Sequence, residues 1–144
     1  MAAVTRLLTF VDIDDAEDEG PDARKIYVSV RQEAVLADGR RVVLLDDRGW
    51  SGTLGVSPGI WAFQTVEEIE RTARFVVGPD EPFEGHTQAD MEESHWEALA
   101  RTVHGRGVEI EARELKALPH DVELSDRVLA RLGRGRRGAP LNEQ

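Results

Sequence analysis

Three groups of residues in this chain carry side chains that do chemistry in other settings. Asp12-Ile13-Asp14 places two carboxylates at the end of an apolar run, where they hold a divalent cation or supply a nucleophile. Gly49-Trp50-Ser51-Gly52 sets a hydroxyl among glycines, the composition of a nucleophile presented on a tight turn. His86, Asp90 and His95, with Glu92 and Glu93 nearby, have the ligand chemistry of a metal site. Spacing tests each of them. A calcium loop opening at Asp12 needs Gly at its sixth place and Glu at its twelfth, and the chain has Glu17 and Ala23 there. A nucleophile elbow needs Gly two places after the serine, where Thr53 stands. His86, His95, His104 and His120 all follow Ser51, so the chymotrypsin order of triad residues is missing. No Gly-Lys-Ser/Thr follows the glycines, which removes a phosphate loop. No two histidines are spaced i, i+4, and the step from Asp90 to His95 does not return to one helix face.

The Asp12-Ile13-Asp14 segment resembles the first motif of the haloacid-dehalogenase-type phosphatases, whose leading Asp is the nucleophile. The resemblance implies a small hydrolase using Asp12 and Asp14. The chain departs from that pattern at Ala16, where the family has Thr or Val. A crossover helix should follow, and Asp14 to Arg24 is short, acidic and broken by Gly20-Pro21. No Lys followed by an acidic pair comes later in the family's order; Asp46-Asp47 stands too early. A motif without its structural context carries little. The sequence therefore assigns no catalytic, metal or cofactor residue, and it implies no cofactor.

Charge is more informative. Arg and Lys total 18 against 28 Asp and Glu, a formal net charge of -10. Such a surface repels nucleic acid and anionic lipid, so neither is an expected partner. Asp12, Asp14, Asp15, Glu17, Asp18, Glu19 and Asp22 form one block without a basic residue. Asp80, Glu81, Glu84, Asp90, Glu92, Glu93 and Glu97 form a second. The bland reading of both is a solvated face. The functional reading is a docking surface for a basic protein, with the second block as the face and Trp50 as an aromatic anchor. Trp61 and Trp96 read as core residues.

The elements that must position these residues follow from periodicity. Leu7 to Ile13 alternates as a strand, and a second runs from Ile26 to about Leu36. Asp38-Gly39 then marks a hairpin, with a type I′ turn expected, leading into Arg41 to Leu45. Asp46 to Gly59 reads as a Gly-rich connection with a short strand over Thr53 to Val56, and Ile60 to Gln64 as another strand. Thr65 and Glu68 form a capping box for a helix whose buried stripe is Val66, Ile69, Ala73, Val76 and Val77. Thr87 caps a second helix to about His104, ended by Gly105 and Gly107. Val108, Ile110 and Ala112 alternate with charged residues as on a half-exposed strand, and Ser125 caps a last helix through Leu132.

This order predicts an α+β domain: an antiparallel, meander-like sheet from the N-terminal half with two or three helices packed on one face. The domain is expected over 1–132, with 133–144 a flexible Arg/Gly/Pro tail. The chain of 144 residues has no cysteine, which excludes disulfides, zinc fingers and thiol chemistry. It has no apolar run of the length a signal peptide or membrane helix needs, so the expected location is the cytoplasm. Lys25 and Lys116 are the only lysines, a bias of GC-rich genomes. The run Thr65 to Ala73 with Val77-Gly78-Pro79-Asp80-Glu81-Pro82-Phe83 resembles small uncharacterised proteins of high-GC actinobacteria, which implies a bacterial origin and no particular activity. Three functions stay open: an interaction domain that docks a basic protein as an inhibitor or immunity-type partner does; a small metal-dependent hydrolase using Asp12/Asp14 or His86/Asp90/His95; and a structural, oligomerising domain, for instance a homodimer.

Overall fold

The computed structural model describes residues 3–14, 25–53, 61 and 64–136. The elements are β1 (Val4–Ile13), β2 (Lys25–Leu36), β3 (Arg41–Thr53), α1 (Val66–Val76), α2 (Gln88–His104), α3 (Ala112–Ala117), β4 (His120–Leu124) and α4 (Asp126–Arg136). The strands form one sheet in the order β3-β2-β1-β4. The first three pair antiparallel, and β4 lies parallel to β1, so this is an α+β domain with a mixed, mostly antiparallel sheet.

Register explains where the core lies. Leu7 faces Ala34, Thr9 faces Gln32, Val11 faces Val30 and Ile13 faces Val28 across the β1–β2 ladder. On the other side of β1, Leu7, Thr9 and Val11 stand opposite His120, Val122 and Leu124. Side chains alternate faces along a strand, so these residues share one face. All four helices pack there. Ile69 and Ala73 of α1 and Val128 and Leu132 of α4 join Val11, Ile13, Val28 and Val30 in one apolar cluster. Leu99, Ala100 and Val103 of α2 and Leu115 of α3 join Leu7, Ala34, Leu36, Val42 and Leu44 in a second. Between them sit two polar residues with almost no exposure, Thr9 and Gln32. The Thr9 hydroxyl is 2.6 Å from Nε2 of His120.

The opposite face has no described helix and is dressed with charge. Arg31 and Arg41 both reach the Glu33 carboxylate, at 2.9 and 3.3 Å, and the Arg31 guanidinium lies over the Phe10 ring. Arg6 pairs with Asp121 of β4 at 3.0 Å.

Several local expectations change. The 38–39 hairpin is present, but Gly39 alone has positive φ, at 90°. The Gly39 amide donates to the Leu36 carbonyl and the Leu36 amide to the Arg40 carbonyl, giving a three-residue loop rather than a type I′ turn. Strand β3 does not stop at Leu45. It continues through Gly49, where a Cβ would stand 2.3 Å from the Val28 carbonyl oxygen, so this glycine admits a close strand rather than a turn. Val108 to Arg113 is not a strand, because the His104 ring meets the Ile110 carbonyl at 2.8 Å and Glu111 opens α3 through a capping box. Residues 120–124 are a strand that the antiparallel reading had no place for. Of the expected strand over Ile60 to Gln64 only Trp61 and Gln64 are described, and neither is in a strand: the Gln64 amide donates to the Trp61 carbonyl at 3.3 Å. The last helix runs past Leu132 to Arg136. The rest of the expected tail, the loop after Asp14 and residues 54–60, 62 and 63 lie outside the described residues.

Candidate functional site

The chemistry-bearing groups singled out by sequence turn to separate structural tasks. Asp12 leaves β1 and meets the start of α4. Its carboxylate accepts from the Ser125 hydroxyl at 2.8 Å, from Arg127 at 3.0 and 3.2 Å, and from the Ile13 amide at 2.8 Å. Partial burial acts to raise its pKa, but these donors outweigh it and hold the carboxyl below the ordinary Asp value. Ser125 in turn accepts from the Val128 amide and caps α4, as expected. Asp12 is thus the tie between strand and helix, and Asp14 donates its amide to the Tyr27 carbonyl.

The His86, Asp90 and His95 set is divided in the same way. Asp90 completes the capping box with Thr87, accepting from the Thr87 amide at 3.0 Å, and that bond is the main reason its pKa lies low. The His86 ring contacts the Phe83 ring at a tilt, with centroids 4.8 Å apart. His95 is half-buried against the end of α1. Burial first, and Arg48 second, hold it below the ordinary His value; Asp80, a hydrogen bond to the Val77 backbone and Glu92 act in the opposite direction. Among the described residues no three His, Asp or Glu side chains converge as metal ligands.

What the fold does assemble is a supported loop between α1 and α2. The last carbonyls of a helix lack intrahelical donors and favour a cation. Here the Arg48 guanidinium reaches across from β3 and donates to the Val76 and Gly78 carbonyls at 2.7 and 3.2 Å. Its second terminal nitrogen stands 3.9 Å from Asp80, and its Nε stands 3.8 Å from Asp47. From this anchor the chain runs through Pro79 and Pro82 to a tight turn. The His86 amide donates to the Phe83 carbonyl at 2.9 Å, with Glu84 at φ 40° and Gly85 at φ 83°. Two successive positive φ values are the signature of a type I′ turn. Glu84 is the single described non-glycine residue in that region. The Thr87 capping box then fixes the far end.

Two large apolar side chains stand out on this surface. Phe75 is 71% exposed and Phe83 is 58% exposed. Phe75 lines a shallow depression together with Arg48, Pro79, Asp80 and Glu81. The sequence signal for Phe75 was its place off the α1 stripe: Ile69 and Ala73 point inward, and residue 75 falls on the opposite side of the helix. No sequence signal marked Arg48 as the partner of a helix end, because that pairing is tertiary.

The second acidic block does not form one continuous face. Asp80 borders the flank of α2 that carries Met91, Ser94, His95 and Ala98. Glu92 and Glu93 line a groove on the flank toward α3, with Trp96, Arg113 and Lys116. Glu92 is bonded there to Lys116 at 2.5 Å. Glu97 lies on the exposed side of the helix. Among the described residues Glu81, Glu84, Glu93 and Glu97 have no ion pair. Trp50 is half-buried against the first apolar cluster. The chain was compared with protein-family models, with curated proteins and with solved structures, and none matches it.

Proposed function

We propose that this chain is a non-enzymatic interaction module that docks a basic protein through the α1–α2 loop and its borders. The observation that carries the reading is the pairing of charge with exposed aromatic surface. Phe75 and Phe83 stand in the open within a segment that also carries Asp80, Glu81 and Glu84. Aromatic anchors beside a charged rim are what protein-docking sites are made of, the anchor supplying affinity and the rim supplying steering and partner choice. The net charge of -10 favours a partner of opposite sign. An inhibitor or immunity-type role fits this chemistry.

The test is photocrosslinking in lysate of the producing cell, with p-benzoylphenylalanine in place of Phe83 and, separately, in place of the exposed Arg106 on the loop after α2. A crosslink to a basic protein from position 83 that weakens with salt, and is lost on Glu81→Lys with Glu84→Lys, is the expected result. Equal crosslinking from both positions, or retention in the charge-reversed variant, overturns the reading. Glu92 is left unchanged, because reversing it would also break its bond to Lys116.

A further inference from the structure

The turn at Phe83 is built to hold an aromatic ring in solvent. A phenylalanine exposed over more than half its surface ordinarily gains by folding further onto the protein, and a loop residue ordinarily avoids the left-handed backbone region. Here both tendencies are overridden. Glu84, which has a Cβ, sits at φ 40°, and Gly85 follows at φ 83° with open space around it. Pro82 fixes the backbone just before the ring, and the His86 ring lies against it with centroids 4.8 Å apart and planes tilted by 46°. The loop is tied at one end by Arg48 on the Val76 and Gly78 carbonyls, and at the other by Thr87 and Asp90. Backbone strain held by its surroundings marks a conformation kept for use, and a docking element ordered in advance loses less entropy on binding.

From this we propose that Phe83 is a preformed plug, and that the partner offers an apolar cavity about the size of a phenyl ring, rimmed by Lys or Arg side chains. The proposal rests on the docking reading above and sharpens it: this chain supplies the knob, and its partner supplies the hole. Glu81 and Glu84 stand two residues before and one residue after Phe83 in the chain, and they are the acids that would meet the cationic rim as the ring enters. A cleft of that description is the kind an inhibitor stoppers.

A defined probe tests this on the full chain. β-Cyclodextrin presents an apolar cavity that accepts a phenyl ring, and its amine-substituted form adds a cationic rim. Both are titrated while the Phe83 ring resonances are followed by NMR. The expected result is saturable shifts at Phe83, with the aminated host about fivefold tighter, the gain of one or two exposed ion pairs. Phe83→Ser should abolish the shifts. Gly85→Val, checked for folding by circular dichroism, should weaken them severalfold because the turn cannot form. If both hosts bind Phe83 equally, the plug stands and the cationic rim, with the basic-partner reading, is overturned. If the aminated host binds while the Phe83 ring is unmoved, the plug is overturned and the basic-partner reading survives. Unchanged affinity in Gly85→Val overturns the claim that the ring is held ready.

Discussion

Arg48 of β3 and Val76 of α1 lie 28 residues apart, and the Arg48 guanidinium donates to the Val76 carbonyl at 2.7 Å. The bond closes the end of α1 with a side chain from the edge strand β3. The same guanidinium also holds Gly78, so one residue sets the direction in which the α1–α2 loop departs.

Replacing Arg48 with Met keeps much of the side-chain bulk and removes the donors. Two carbonyls then lose a charged partner, at a cost of about 2 kcal/mol. Urea denaturation should report that loss. Hydrogen exchange should show faster exchange over residues 77–87 than elsewhere; a uniform loss of protection would mean that Arg48 serves the whole domain and not the loop.

Asp12 gives a pH signature. Its folded pKa is lowered, so its contribution is complete above the ordinary value of 3.8 and is lost as pH falls through the folded value. Asp12→Asn should destabilise the protein at pH 7 by about 1–2 kcal/mol. The gap between wild type and variant should close in acid below pH 3.8. Denaturation midpoints measured between neutral pH and the acid limit decide it, and a gap constant with pH would rule out the carboxylate as its source.

Both His95 and His120 have folded pKa values below 6.5, chiefly through burial. The unfolded chain therefore takes up protons first. Stability is full above the unfolded value and declines as pH falls through 6.5 toward the folded values. For His120 the neutral ring also meets the Thr9 hydroxyl in the core. His95→Gln with His120→Gln should flatten stability between neutral and mildly acid pH, measured by thermal unfolding at matched ionic strength. A double variant with the wild-type slope would assign that dependence elsewhere.

Gly49→Ala is the sharpest structural test. The added Cβ would stand 2.3 Å from the Val28 carbonyl oxygen, and backbone must move to admit it. The expected loss is about 3 kcal/mol, at the upper end for overpacking. Gly39 has open space but φ 90°, so Gly39→Ala should cost less, about 1 kcal/mol. Parallel denaturation curves should order the two; the reverse order would show that β3 has room at Gly49.

The sequence makes an element legible where the chemistry that forms it is local. The Thr65–Glu68 box and the Thr87 cap are formed as spacing predicts, because a side chain and an amide three residues apart need no third party. Alternation marked β1 and β2 as strands for the same reason, but with apolar residues on both sides of Leu7 to Ile13 it did not say which face the helices cover. Pairing across long separations was not legible. His120, Val122 and Leu124 alternate over only five residues, and nothing nearby announces that their partner is the first strand. Val108, Ile110 and Ala112 point inward at strand spacing, but the backbone there is satisfied by the His104 ring instead of a neighbouring strand. Of the candidate site, the acids were visible as a composition block. The division of that block by the α2 axis, and the exposed rings beside it, depend on how the helix rolls onto the core.

The parallel contact between β1 and β4 also bears on how the chain is born. Thr9 and His120 are 111 residues apart, and one side of β1 has no strand partner until that distance has been synthesised. During synthesis the hairpins β1–β2 and β2–β3 can close early, while the free edge of β1 waits for the last strand to leave the ribosome. An edge held open for that interval invites pairing with another nascent chain. Non-local closure also slows the final step, since the loop entropy must be overcome before the contacts form. Asp12, reaching Ser125 and Arg127 just beyond β4, is the clasp that ends the exposure once the C-terminal segment arrives.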